Sequence, residues 1–266
     1  MQSERAMGLT SARREMAVVV GKTRELPLEE RAEEKFPGGN TPTSPSVGPI
    51  PAKDLFLAKS LTGEALPGAQ KLKVLNNLDE AIVRVCQKCR LCSTRTNTVF
   101  GEGDVNAKIF FIGEGPGENE DLQGRPFVGR AGELLNKMIT AMGLKREEVY
   151  IANVVKCRPP GNRAPAPDEV EACTPFLEKQ LETIRPKVIV TLGLPAMQYM
   201  LQTKVSMGKI RGQWHEWRGI KLMPTYHPAY VLRSYTPEVR KTVWGDLQKV
   251  MEEIGLKTNA EKSENV

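Results

Sequence analysis

Histidine and cysteine are scarce in this sequence, with two and five residues among 266. With two imidazoles, a site holding several metal ions would have to be built from thiolates or carboxylates. Long apolar runs are missing as well. None approaches the roughly 18 residues that a membrane-crossing helix needs, and Met16–Val20 is far too short. The N-terminus lacks the basic, apolar and small-residue succession of a secretory signal. The expectation is therefore a cytoplasmic chain with no membrane association. In that reducing setting, five cysteines predict thiols or metal ligands rather than a disulfide framework. No internal repeat is found.

What the sequence does have is positive charge and local order. The formal net charge is +6, and the whole excess falls between residues 81 and 256. Such a balance permits a polyanionic partner without requiring one. Residues 1–70 read as a low-order appendage. Within them, Thr23–Phe36 could form a solvated helix, and Pro37–Pro51 (PGGNTPTSPSVGPIP) reads as a flexible linker. The folded part is expected over residues 71–256, with a polar, frayed tail over 257–266.

From Lys71 onward, apolar strands alternate with amphipathic helices. Helical spacing is found over Leu72–Val85, Val128–Met142, Pro167–Ile184, Pro195–Leu201 and Pro237–Ile254. Strand patterns cover Lys108–Gly113, Val149–Lys156 and Lys187–Leu192. Trp214–Trp217 and Ile220–Pro224, joined by Arg218–Gly219, predict a hairpin. This alternation predicts an α/β fold with a parallel sheet covered on both faces. Ligands in such folds bind beyond the carboxyl ends of the strands.

One such end reads IFFIGEGPGENEDLQGRPFVG (109–129), a buried strand running into glycines and four acids, Glu114, Glu118, Glu120 and Asp121. The loop fails the dinucleotide fingerprint, because Glu118 takes the third glycine position, and it has no P-loop Lys-Ser/Thr ending. Four acids would also repel phosphate. Glycines there suit close approach of peptide N–H groups to a ligand. A second signal is Cys86-x2-Cys89-x2-Cys92, with Cys157 and Cys173 downstream. Two near and two distant thiolates suit zinc or an iron–sulfur cluster, and leave one cysteine over. His227, in PTYHPAY, follows an apolar strand and so falls where chemistry is placed. His215 and the three tryptophans read as packing residues.

These pieces together resemble the family-4 uracil-DNA glycosylases, the iron–sulfur branch of the uracil-DNA glycosylase superfamily. The matching segments are VFGEG (99–103), GEGPGENED (113–121), GRPFVGRAG (124–132), IANVVKCRPPGNRAP (151–165), IRGQWHEW (210–217) and YHPAYVLR (226–233). The likeness covers residues 80–256 and does not extend to 1–70. It implies a three-layer α/β/α sandwich around a central four-stranded, mainly parallel sheet. It also implies a [4Fe–4S] cluster on Cys86, Cys89, Cys157 and Cys173. Cys92 is then a departure from the family pattern.

By the same resemblance, the partner is uracil-containing DNA, single- or double-stranded, and the acting form a monomer. Uracil would be flipped into a pocket formed by Glu114, Gly115, Pro116, Glu120, Phe127, Asn153 and His227. Phe127 would stack on the base, and the Asn153 amide would read its edge. Glu120 would crowd C5 against thymine. His227 would meet charge on O2, and Glu114 would position water, with Gly115 standing where the best-known branch has a catalytic Asp. Arg125, Arg158, Arg163 and Arg233 would hold phosphates. Tyr230, with Val231 and Leu232, would wedge into the base stack or else pack its helix. Two other readings are a relative that traps DNA covalently and a non-catalytic iron–sulfur DNA sensor. RPPGNRAP has neither the insertion nor the extra His of the trapping relative.

Overall fold

The apolar runs become strands stacked side by side in the computed structural model, which describes residues 65–256. The expected linker and helix within residues 1–64, and the tail from 257, lie outside the described residues. Six strands are present among them: β1 (Glu102–Gly103), β2 (Ile109–Gly113), β3 (Tyr150–Asn153), β4 (Val188–Leu192), β5 (His215–Trp217) and β6 (Ile220–Thr225). The helices are α1 (Gly68–Leu78), α2 (Glu118–Gln123), α3 (Arg130–Ala141), α4 (Pro167–Ile184), α5 (Leu194–Leu201), α6 (Met207–Ile210), α7 (Pro228–Arg233) and α8 (Pro237–Ile254). A π-helical turn, Asp79–Val83, extends α1 toward the cysteines.

The sheet order is β1-β3-β2-β4-β6-β5. The four inner strands run parallel, while β1 and β5 pair antiparallel at the edges. Four strands were expected and six are found. At two residues, β1 is too short to show an alternating pattern, and the β5–β6 hairpin sets β6 beside β4 as an inner strand with β5 at the edge. That hairpin turns on Arg218 and Gly219, both at positive φ, which matches the twist of the flanking strands.

Strand alternation splits the core in two. Phe110, Ile112 and Ile189 face Leu177 and Leu181 of α4 and Met200 of α5. Ile109, Phe111 and Val190 face Leu135 and Ile139 of α3 and Leu247 and Val250 of α8. Helices therefore cover both faces, giving the three layers. Every residue of β2 and β4 is buried, as expected for inner parallel strands. Burying such strands fixes their register, since a one-residue slip would turn Phe110 and Ile112 to the opposite layer.

Candidate active site

The carboxyl ends of β2, β3 and β6 converge on one cavity of about 380 Å³. Its walls include Glu114, Gly115 and Pro116 after β2, Asn153 ending β3, and His227 after β6. Glu120, Phe127, Arg163 and Arg233 also line it. Residues far apart in sequence thus meet because parallel strands deliver their ends to one edge. Sequence reasoning missed Asn162, Pro159 and Pro165 as lining residues, although all three lie within RPPGNRAP.

Two glycines make the room. A Cβ on Gly113 would lie 2.4 Å from Asn153 Oδ1 and 2.6 Å from the Phe127 ring. A Cβ on Gly193, which sits at φ +90°, would lie 2.9 Å from the His227 Cβ. Phe127 itself has φ 51°, a left-handed conformation unusual for a side chain of that bulk. Its ring lies 5.6 Å from the His227 ring, at an interplanar angle of 30°.

Asn153 is 2% exposed, and its Oδ1 has no hydrogen-bond partner among the described residues. A buried acceptor left unpaired costs free energy, about 1–3 kcal/mol, and an N–H donor brought by a ligand would relieve that cost. His227 caps α7, and its Nδ1 accepts from the Ala229 N–H at 3.0 Å. That bond leaves the ring proton on Nε2. Burial first, then the Arg233 charge, lowers its pKa to about 4, with Glu120 opposing. The imidazole is neutral at pH 7. Glu114 is half-buried, and burial alone raises its carboxyl above the usual range.

The four acids of the glycine-rich stretch separate by role. Glu118, Glu120 and Asp121 stand in the first turn of α2, where the helix dipole favours negative charge. Six residues after a Gly-Pro-Gly run are too few to announce a helix in sequence. Asp121 is buried and accepts from the Thr96 and Asn97 N–H groups. Glu120 Oε1 accepts from the N–H groups of Val128 and Gly129, each at 2.9 Å. Only Glu114 and Glu120 face the cavity.

The arginines also separate. Both outer nitrogens of Arg163 donate to Glu169, at 2.6 and 2.8 Å. Arg125 makes a two-pronged pair with Glu102. Arg158 donates to Asn162 at 2.8 Å and lies 3.7 Å from Glu118. Arg233 makes no ion pair with any described residue. Arg125, Arg158 and Tyr230 lie outside the cavity lining; the Tyr230 ring packs 4.8 Å from Tyr226.

A second, smaller cavity is lined by all five cysteines. Cys157 and Cys173 are buried and the other three are half-buried. Among the described residues, no three His, Cys, Asp or Glu side chains are grouped so that they could hold a metal ion as they stand. The donor chemistry nevertheless fits a thiolate-bound group. Arg95 donates to Cys157 Sγ at 3.3 Å, and the Lys156 N–H to Cys173 Sγ at 3.1 Å. Burial raises the Cys89 and Cys157 thiols, and takes Cys173 up to about 12. Thiolates form in such a place when a cation supplies compensating charge.

A family model described as the uracil DNA glycosylase superfamily matches residues 100–248. A type-4 uracil-DNA glycosylase of Saccharolobus solfataricus is 48% identical over 194 residues, covering 69% of this chain and 89% of the relative. The type-4 enzyme of Thermotoga maritima is 51% identical, over 63% of this chain and 88% of the relative. That of Archaeoglobus fulgidus is 45% identical, over 69% and 96%. The family match and these relatives establish that the chain belongs to the uracil-DNA glycosylase superfamily, among its type-4 members.

Proposed function

We infer that the chain is a DNA repair hydrolase that flips uracil out of DNA and cleaves its N-glycosidic bond, leaving an abasic site. The observation that carries this reading is the unpartnered Oδ1 of buried Asn153, set in a cavity walled by Phe127 and His227. Uracil N3–H can donate to that oxygen, while uracil O4 accepts from the amide nitrogen. Cytosine presents the reverse pattern and would leave both groups unpaired, a difference of the order of 10⁴-fold in a site of this kind.

The base stacks on Phe127. As the C1′–N1 bond breaks, its electron pair stays with uracil and negative charge gathers on O2. Neutral His227, its Nδ1 already engaged by Ala229, donates from Nε2 to that oxygen. Peptide N–H groups near Glu114–Gly115 add to this stabilisation. Water adds to C1′, and its proton passes to Glu114, whose elevated basicity follows from burial. Glu120, fixed by two peptide N–H groups, is the wall we assign to excluding the thymine methyl.

The cluster is part of this proposal. Cys86, Cys89, Cys157 and Cys173 would hold a [4Fe–4S] group, joining the α1 end to the loop bearing Arg163. Its contribution is structural cross-linking. Acting as a monomer is also proposed, since one chain supplies the whole cavity lining.

The test is incubation with a uracil-containing oligonucleotide, followed by alkali. Strand breaks at uracil and none at cytosine or thymine are expected. Asn153→Ala and His227→Ala should each lose at least about 10²-fold in turnover while keeping the wild-type melting profile. Near-normal turnover in both variants would remove this cavity as the active site.

A further inference from the structure

The stacking residue is held in a conformation it would not choose, and the structure shows what holds it. Phe127 has φ 51°. Both flanks of the residue are tied by carboxylates. On the far side, Glu120 takes the N–H groups of Val128 and Gly129. On the near side, one carboxylate, Glu102, gathers two arginines. Arg125 donates to it from Nε at 2.8 Å and from Nη2 at 3.0 Å. Arg146 donates to its Oε1 from Nε at 2.7 Å. The remaining arms of Arg146 reach Asn136 Oδ1 at 2.6 Å and the Pro126 carbonyl oxygen. Residues 125 and 126 are thus both secured through Glu102, immediately before the ring.

The placement of Glu102 is itself built. It belongs to β1 and pairs with Ile151 of β3, two residues before Asn153. The flanking Gly101 and Gly103 have φ +135° and +134°. A Cβ on Gly103 would lie 1.8 Å from the Val149 carbonyl oxygen, and one on Gly101 would lie 3.0 Å from the Ile151 oxygen. The segment GEG therefore lets an edge strand lie tightly against β3 and presents one acid toward the Phe127 loop. Gly132 closes the loop from α3, since a Cβ there would meet the Phe127 carbonyl oxygen at 1.8 Å.

We propose that Glu102 and Arg146 are positioning residues that hold Phe127 in its left-handed conformation, so that the base enters a stacking surface already formed. Neither residue lines the cavity, and both act through the loop. The inference rests on the uracil reading of the cavity. Preorganisation of this kind reduces the ordering cost of binding. Its loss should appear in base affinity ahead of DNA affinity.

The test is a double-mutant cycle on free-uracil inhibition, with binding to uracil-free DNA measured alongside. Phe127→Ala should weaken uracil inhibition about tenfold or more, and Glu102→Gln about three- to tenfold. The double variant should be no worse than Phe127→Ala alone, because Glu102 acts through that ring. Affinity for uracil-free DNA should stay within about twofold of wild type. Losses that multiply in the double variant, or a Glu102→Gln protein with unchanged uracil inhibition, would overturn the proposal. Should Glu102→Gln fail to fold, Arg146→Lys completes the same cycle, because its single ammonium cannot span Glu102, Asn136 and Pro126 together. A wild-type protein that neither excises uracil nor is inhibited by it would instead refute the reading of the cavity.

Discussion

Two of the ionisable side chains that line the base site, His227 and Glu114, are moved by burial in opposite directions. His227 falls to about 4, so it loses its charge well below neutrality. Glu114 rises above the ordinary carboxyl value. For the chemistry proposed, the active form has His227 neutral and Glu114 ionised. Falling pH reaches the limit set by Glu114 before that of His227, because burial raises the carboxyl and lowers the imidazole. Single-turnover excision should therefore fall on the acid side along a limb set by Glu114, with no limb from His227 where an ordinary histidine would titrate. In Glu114→Gln the remaining activity should lose that acid limb until His227 protonates near 4. A Glu114→Gln profile that still drops through pH 6.5 would show that His227 titrates normally and that its burial is not what sets its state. The neighbouring glycines belong to the same residue-scale logic: Gly113 and Gly193 are needed because any Cβ would occupy the space of Asn153 or His227.

Elements with a clear period were legible before the fold was seen. The apolar strands β2 and β4 and the long helices α4 and α8 fall where spacing places them. Elements defined by tertiary partners were not. Residues 118–123 showed only acids after Gly-Pro-Gly, and their helicity depends on Asp121 reaching Thr96 and Asn97. Likewise β1 exists because two glycines allow close contact with β3, which no pattern within VFGEG reveals. Of the candidate site residues, Asn153 and Phe127 came from family likeness and His227 first from its place after an apolar strand, while the geometry that joins them came from strand-end convergence. The same element-scale reasoning applies to the cysteines. Cys173 lies on α4, and Arg90, within the 89–92 turn, pairs with Asp168 at 2.8 Å and approaches Glu169 at 3.4 Å at the start of that helix. A group bound between them would fasten two segments already aligned. Cys173→Ser should lose bound iron and sulfide together with several degrees of melting temperature. Cys92→Ser should retain about four iron per chain and its visible absorbance. Equal iron loss in both would place Cys92 among the ligands.

At the scale of the whole molecule, the number of arginines near the cavity overstates how many are free to meet DNA. Three of the four arginines expected at the backbone are committed internally. Arg125 holds Glu102, Arg163 holds the buried Glu169, and Arg158 bonds Asn162 and lies near Glu118. Using them on phosphate would break contacts that shape the cavity loops, and in the case of Arg163 would take from buried Glu169 its closest guanidinium. Arg233 is different: it lines the cavity and makes no ion pair with any described residue. Each phosphate neutralised adds roughly one to the slope of log affinity against log salt. Arg233→Ala should therefore lower that slope by about one and weaken binding to all sequences alike, with little change in melting temperature. Arg163→Ala should leave the slope nearly unchanged while lowering stability and excision, because what it removes is a support of the loop carrying Asn162 and Pro165. Salt titrations of the two variants on one uracil-free oligonucleotide decide the matter. A unit fall in slope for Arg163→Ala, with none for Arg233→Ala, would mean that DNA draws the paired guanidinium away from Glu169 and that the loop rearranges on binding.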